Sequence, residues 1–102
     1  MAKIYRGTTP TLMFTFNAVK PSDISVAILS IKQHDETVLT KDLTEAIVDT
    51  KSISWILSQE ETLALDKVDT EIMCDWKLNT GIRGYSEVLK ASVSDSGKDE
   101  VI

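Results

Sequence analysis

The chain has 102 residues, the length of one ordinary domain, with room for a single core and little for a deep cavity beside it. Hydrophobic residues at 42% and charged residues at 26% are the composition of a folded globule and exclude a disordered segment. Eleven basic against sixteen acidic residues leave a net charge of −5, which repels phosphate backbones and anionic bilayers and so disfavours both as partners.

The first residues, Met1-Ala2-Lys3-Ile4-Tyr5-Arg6, carry no apolar signal-peptide core. Pro10 has no amide to donate and suits a strand start or an edge, so 1–10 is expected to form a short edge strand and a bend, an edge arm of the domain. In 11–16, Leu12, Phe14 and Phe16 alternate with Thr11, Met13 and Thr15, the period of a strand with one buried face. The run Val26-Ala27-Ile28-Leu29 inside 24–33 is apolar on both faces, which predicts a central strand covered on both sides. It is far too short to span a bilayer. Gln33-His34-Asp35-Glu36 reads as a turn into a hairpin partner at 37–41.

A weaker strand follows at 46–48, and 52–57 is another, with Ile53, Trp55 and Leu57 on one side. Ser58-Gln59-Glu60-Glu61 then has the S-x-x-E form of a capping box. Glu60 and Glu61 also favour the positive end of a helix dipole, so one or two helical turns are expected, ending near Asp66. The cleanest alternation sets Ile72, Cys74, Trp76 and Leu78 against Glu71, Met73, Asp75, Lys77 and Asn79. Thr80-Gly81-Ile82-Arg83-Gly84 supplies two glycines where a turn needs positive φ, and 85–93 returns as a pairing strand. The segment 94–102 is a polar tail, exposed unless a partner orders it.

Seven or eight short strands with one short helical turn predict an all-β fold, an antiparallel immunoglobulin-like β-sandwich forming a single domain over 1–102. The helical turn stands where such sandwiches cross between sheets; a small open barrel is the alternative. Trp55 and Trp76 are expected in the core.

Few residues carry chemistry. His34, the only histidine, stands among polar residues in a turn and lacks the further nitrogen or sulfur ligands that zinc requires. Cys74, the only cysteine, cannot close an intrachain disulfide, and on the inward side of its strand it is expected to act as a small hydrophobe. Single-cysteine usage fits a reducing cytoplasm before assembly. Two acidic groups, Asp66, Asp69 and Glu71, and Asp95, Asp99 and Glu100, do not match a calcium loop, although Gly97 echoes one. Arg83 in its glycine turn reads as an exposed loop tip. No cofactor, metal site, catalytic residue or enzymatic activity is expected. Met13, Met73 and Ile56 fall on outward positions, and exposed sheet edges offer contacts by strand addition.

Three stretches carry a resemblance. Arg6-Gly7-Thr8-Thr9-Pro10-Thr11 resembles the "RGTTPT" start of a group of small proteins encoded in phages and prophages of Gram-positive gut bacteria. Leu57-Ser58-Gln59-Glu60-Glu61-Thr62-Leu63 is similar to the same group's mid-chain "LTQEET" segment. The alternating strand, glycine turn and final strand with Tyr85-Ser86-Glu87 resemble its last third. The resemblance implies a virion structural protein whose sandwich is similar to the amino-terminal domain of phage baseplate proteins. It implies a tail or baseplate location, with other virion proteins or further copies of the chain as partners, while the net charge of −5 leads to no nucleic acid and no membrane being expected. A capsid decoration or head–tail connecting protein is the alternative, and a carbohydrate- or receptor-binding module stands behind it. The expected protein-contact residues are Arg6, Thr8, Thr9, Met13, Met73 and Arg83.

Overall fold

The computed structural model describes residues 2–86, 88–98 and 100–102, so Glu87 of the third resemblance stretch and Asp99 of the second acidic group lie outside the described residues. In chain order the strands are β1 (Ala2–Tyr5), β2 (Thr11–Thr15), β3 (Ile24–Gln33), β4 (Glu36–Asp42), β5 (Ile47–Val48), β6 (Ser52–Ile56), β7 (Thr70–Leu78), β8 (Arg83–Tyr85) and β9 (Leu89–Ser94). One helix, α1 (Gln59–Leu63), stands between β6 and β7. A six-stranded sheet has the order β1-β9-β7-β3-β4, with β8 also on β7, and a three-stranded sheet has the order β2-β6-β5. Every ladder is antiparallel except β1 on β9, which is parallel. The chain is an all-β, immunoglobulin-like sandwich in which the sheets are linked through α1 and the first strand joins the last.

Local chemistry explains most elements. Ser58 accepts from the Glu61 amide at 3.1 Å while Glu61 accepts from the Ser58 amide at 2.7 Å, so the expected capping box starts α1. A second box, unforeseen, closes the end of β4. There Asp42 accepts from the Thr44 amide at 3.0 Å and Glu45 from the Asp42 amide at 3.1 Å, turning the chain into a 3-10 turn at Leu43–Glu45. The β3–β4 turn has His34 at φ 54° and Asp35 at φ 60°, the two positive angles of a type I′ hairpin turn, carried by residues without glycine's freedom.

The core lies between the sheets and follows the alternation. Ile53, Trp55 and Leu57 are fully buried, as are Ala27, Leu29, Ile31 and Cys74. Trp55 meets Phe14 edge-to-face at 5.9 Å, and its indole N–H donates to the Asp42 carbonyl at 2.9 Å, tying the small sheet to the end of β4. Gln33, read above as a turn residue, ends β3 and is buried. Its Nε2 donates to the Asp66 carbonyl and to Thr70 Oγ1, both at 2.9 Å, and its Oε1 accepts from the Asp66 amide at 3.0 Å.

Several expectations need correction. β3 is central, but its outward Val26 and Ile28 are 44% and 39% exposed, so only one face is covered. An apolar run reports that a strand can be buried on both sides; here no third layer exists to cover it. Trp76 is half-buried rather than central, meeting Phe16 edge-to-face at 6.0 Å near the rim. Of the two turn glycines only Gly81, at φ +93°, needs its positive angle. Gly84 belongs to β8 and is required by space, because a Cβ there would stand 2.2 Å from the Trp76 ring. The 85–93 strand is divided into β8 and β9, both paired with β7.

Candidate interaction surface

The groups with chemical potential lie apart. His34 Nε2 sits 3.2 Å from Asp66 Oδ2, with side chains 60% and 69% exposed, at the hairpin end of the large sheet. Cys74 is fully buried on β7, where burial, and then the charge of Asp75, push its thiol up to about 11. Asp95 accepts from Arg6 and from Lys67, each at 2.9 Å, and these bonds hold its carboxyl below the ordinary value. Among the described residues no three His, Cys, Asp or Glu side chains converge as a metal site would need. A recess of about 680 Å³ opens between the 16–20 loop and the β5–β6 turn. Lys20, Lys51 and Asp49 stand in its lining, and Asp49 holds its own turn by accepting from the Thr50 amide at 2.7 Å. No helix among the described residues is long and apolar enough to cross a membrane.

The six expected contact residues fall into three places. Arg6, Thr8 and Thr9 lie in the crossing from β1 to β2, and much of that crossing is held internally. Arg6 donates to Asp95 Oδ1 at 2.9 Å and to the Leu63 carbonyl at 2.8 Å. Thr62, fully buried on α1, accepts from the Gly7 amide at 3.0 Å and donates to the Thr8 carbonyl at 2.8 Å. Residues 2–10 are therefore an edge strand, β1, followed by a crossing docked on α1, and Thr9 keeps its side chain exposed. The tail is likewise tethered: the Ile102 amide donates to Gln59 Oε1 at 2.7 Å, and Gln59 Nε2 donates to the Ile102 carbonyl at 3.1 Å.

Met73 and Arg83 belong to the outward face of the large sheet. Met73 is half-buried, and Arg83 is 76% exposed with its guanidinium 3.9 Å from Asp75. Alternation places Lys32, Glu71, Asp75, Lys77 and Lys90 outward on the same sheet, around Val26 and Ile28.

Met13 belongs to a different surface. It is 58% exposed on the outward face of the small sheet, in one row with Ser54 and Ile47. Ser54 is only 5% exposed although it faces outward, because Met13 and Ile47 flank it. Ile56 and Thr11 form the next row, and Ser52 and Thr15 the one before. The outward residues of these strands carry hydroxyl, thioether and aliphatic groups and no charge, and Asp49 follows at the end of β5 opposite Ser52. Ile47 and Ser54 were not singled out from sequence. The signal that could have found them is the absence of any charged residue in 7–19 and again in 52–59.

The charges that join the sheets lie at their rim. Lys41 points inward from β4, and its ammonium bonds Glu61 Oε1 at 2.8 Å and the Ile56 carbonyl at 3.3 Å, with side chains 13% and 22% exposed for the ion pair. Burial pushes the Glu61 carboxyl up, but the Lys41 bond, the Ser58 amide and the Lys41 charge together hold it below its ordinary value.

No protein-family model, curated protein or solved structure matches the chain.

Proposed function

We propose that the chain is a non-enzymatic structural part of a tailed-bacteriophage virion, built into the tail or baseplate region. The observation that carries this reading is where the first two of the three resemblance stretches lie in the fold. Arg6 to Thr11 and Leu57 to Leu63 are some fifty residues apart, yet they form one clamp: Gly7 and Thr8 hydrogen-bond to Thr62, and Arg6 to the Leu63 carbonyl. The motifs shared with the phage group thus build architecture. They fasten the first strand and the crossing between sheets. A motif spent on holding a small sandwich together suits a part repeated in an assembly, whose action is to present surface.

On this reading the protein associates with other virion proteins or with itself and turns nothing over. Immunogold labelling of virions from a lysogen carrying the gene tests it. Label at tail tips is expected; label confined to heads would move the protein to a decoration or connecting role, and unlabelled virions would remove it from the particle.

A further inference from the structure

A sandwich has edges, and the five strands that leave one side unpaired among the described residues, β1, β4, β8, β2 and β5, are not alike. An exposed edge is a row of unpaired backbone donors and acceptors, and proteins that stay monomeric blunt it with charge, bulges, proline or shortness. β4 is blunted by Glu36, Lys41 and Asp42 and by a register shift that leaves Val38 as an extra residue. β1 has Lys3 in its four residues, β5 is two residues long and runs into Asp49, and β8 is three residues long and begins with Arg83. β2 has none of these along its length: Thr11-Leu12-Met13-Phe14-Thr15 is uncharged and in regular register, with Pro10 only ahead of its start.

The register also says which groups are open. The Phe16 amide donates to the Lys51 carbonyl at 2.8 Å and the Leu57 amide to the Pro10 carbonyl at 3.0 Å. In an antiparallel ladder the bonded pairs recur every second residue, so the even positions of β2 direct their backbone groups to β6. Thr11, Met13 and Thr15 direct theirs to the free edge.

We propose that β2 pairs antiparallel with β2 of a second copy of this chain, about a two-fold axis at Met13. The sequence is self-complementary in that register: Thr11 faces Thr15 of the other copy, Leu12 faces Phe14, and Met13 faces Met13. The open groups then form three bonded pairs, and the two small sheets join as one six-stranded sheet, β5-β6-β2-β2-β6-β5. Its outward face brings Met13, Ile47 and Ile56 of both copies into one apolar strip. With a net charge of −5 on each copy, an uncharged edge is where two copies approach at least electrostatic cost. Five paired residues bury less than the roughly 800 Å² per partner of a standard stable interface, so the isolated dimer is weak, with a Kd on the order of micromolar or above. Such a contact serves an assembly in which several weak interfaces act together, and to that extent the inference rests on the virion reading.

Sedimentation equilibrium of the full chain from micromolar to sub-millimolar concentration tests it, with circular dichroism checking the fold of each variant. A concentration-dependent dimer is expected, and Met13→Lys, which sets two like charges face to face at the axis, raises its Kd at least tenfold. Met13→Cys is expected to form disulfide-linked dimers on mild oxidation, since directly opposed residues lie within disulfide reach. Val38→Cys on β4 stays monomeric, and the buried Cys74 does not compete. A chain that stays monomeric throughout and cross-links no better through Cys at 13 than at 38 overturns the proposal. So does a dimer indifferent to Met13→Lys. A monomer found at tail tips would sink edge pairing alone, whereas a dimer absent from virions would sink the virion reading alone.

Discussion

The outward faces of the two sheets are built from the same alternation and yet present opposite surfaces. On the large sheet, Lys32, Glu71, Asp75, Lys77, Arg83 and Lys90 stand among Val26, Ile28 and Met73, so the apolar side chains are separated by charge. On the small sheet, Thr11, Met13, Thr15, Ile47, Ser52, Ser54 and Ile56 stand with no charge among them. The inward faces share one largely apolar core, with Lys41, Gln33 and Thr70 of the large sheet meeting polar partners at its margins. Alternation therefore dictates that a strand has two faces, while the choice of residue on the second face decides whether that face is only solvated or is available to a partner.

The comparison holds only while the two sheets share their core, and Trp55 is the side chain on which that depends most. Trp55→Ala removes a fully buried indole and its bond to the Asp42 carbonyl, and is expected to cost about 3–5 kcal/mol. A shift of the urea midpoint to that extent, with loss of both sheets in one transition, is the expected result. A variant in which the six-stranded sheet persists while the small one melts would show the halves to be separable.

The next effect is at the rim, where a charge of the large sheet reaches the small one. Lys41→Met removes the partner of Glu61 in a largely buried pair and is expected to cost about 1–2 kcal/mol at neutral pH. Its pH dependence follows from the lowered Glu61 pKa. A carboxyl held below its unfolded value contributes stability that is present above about 4.5 and lost as pH falls through the folded value. Urea titrations at a series of pH values should show the acid limb of the stability profile flattened in Lys41→Met. An acid limb identical to that of the parent would remove Glu61 from the account.

The smallest expected change in stability sharpens the contrast most. Ile56→Lys on the small sheet and Lys77→Ser on the large one both alter exposed outward positions and should each move stability by no more than about 0.5 kcal/mol. They should differ in association: light scattering at high concentration is expected to show weaker self-association for the first and no change for the second. Equal behaviour would mean the uncharged face has no role as a surface.

Much of this architecture was legible because its causes are local. A period of two over 52–57 places Ile53, Trp55 and Leu57 on one side whatever lies opposite, and all three are fully buried. Ser58 and Glu61 form a capping box because the bonds run between residues three apart. Met13 could be placed outward for the same reason.

What tertiary structure alone decided is equally specific. Val26 and Ile28 are as apolar as a doubly covered strand requires, but coverage depends on whether another layer arrives. Gly84 is a glycine because the Trp76 ring lies over it, a contact that appears only once β8 pairs with β7. Lys41 points inward because its strand is an edge and Glu61 stands across the rim to receive it. Residue type and spacing determined which segments would be strands and which side chains they would bury, because those preferences act over one or two turns of backbone. Strand order, and with it which edge is left unpaired and which face is left without charge, came from pairings between distant segments, whose partners no local pattern names.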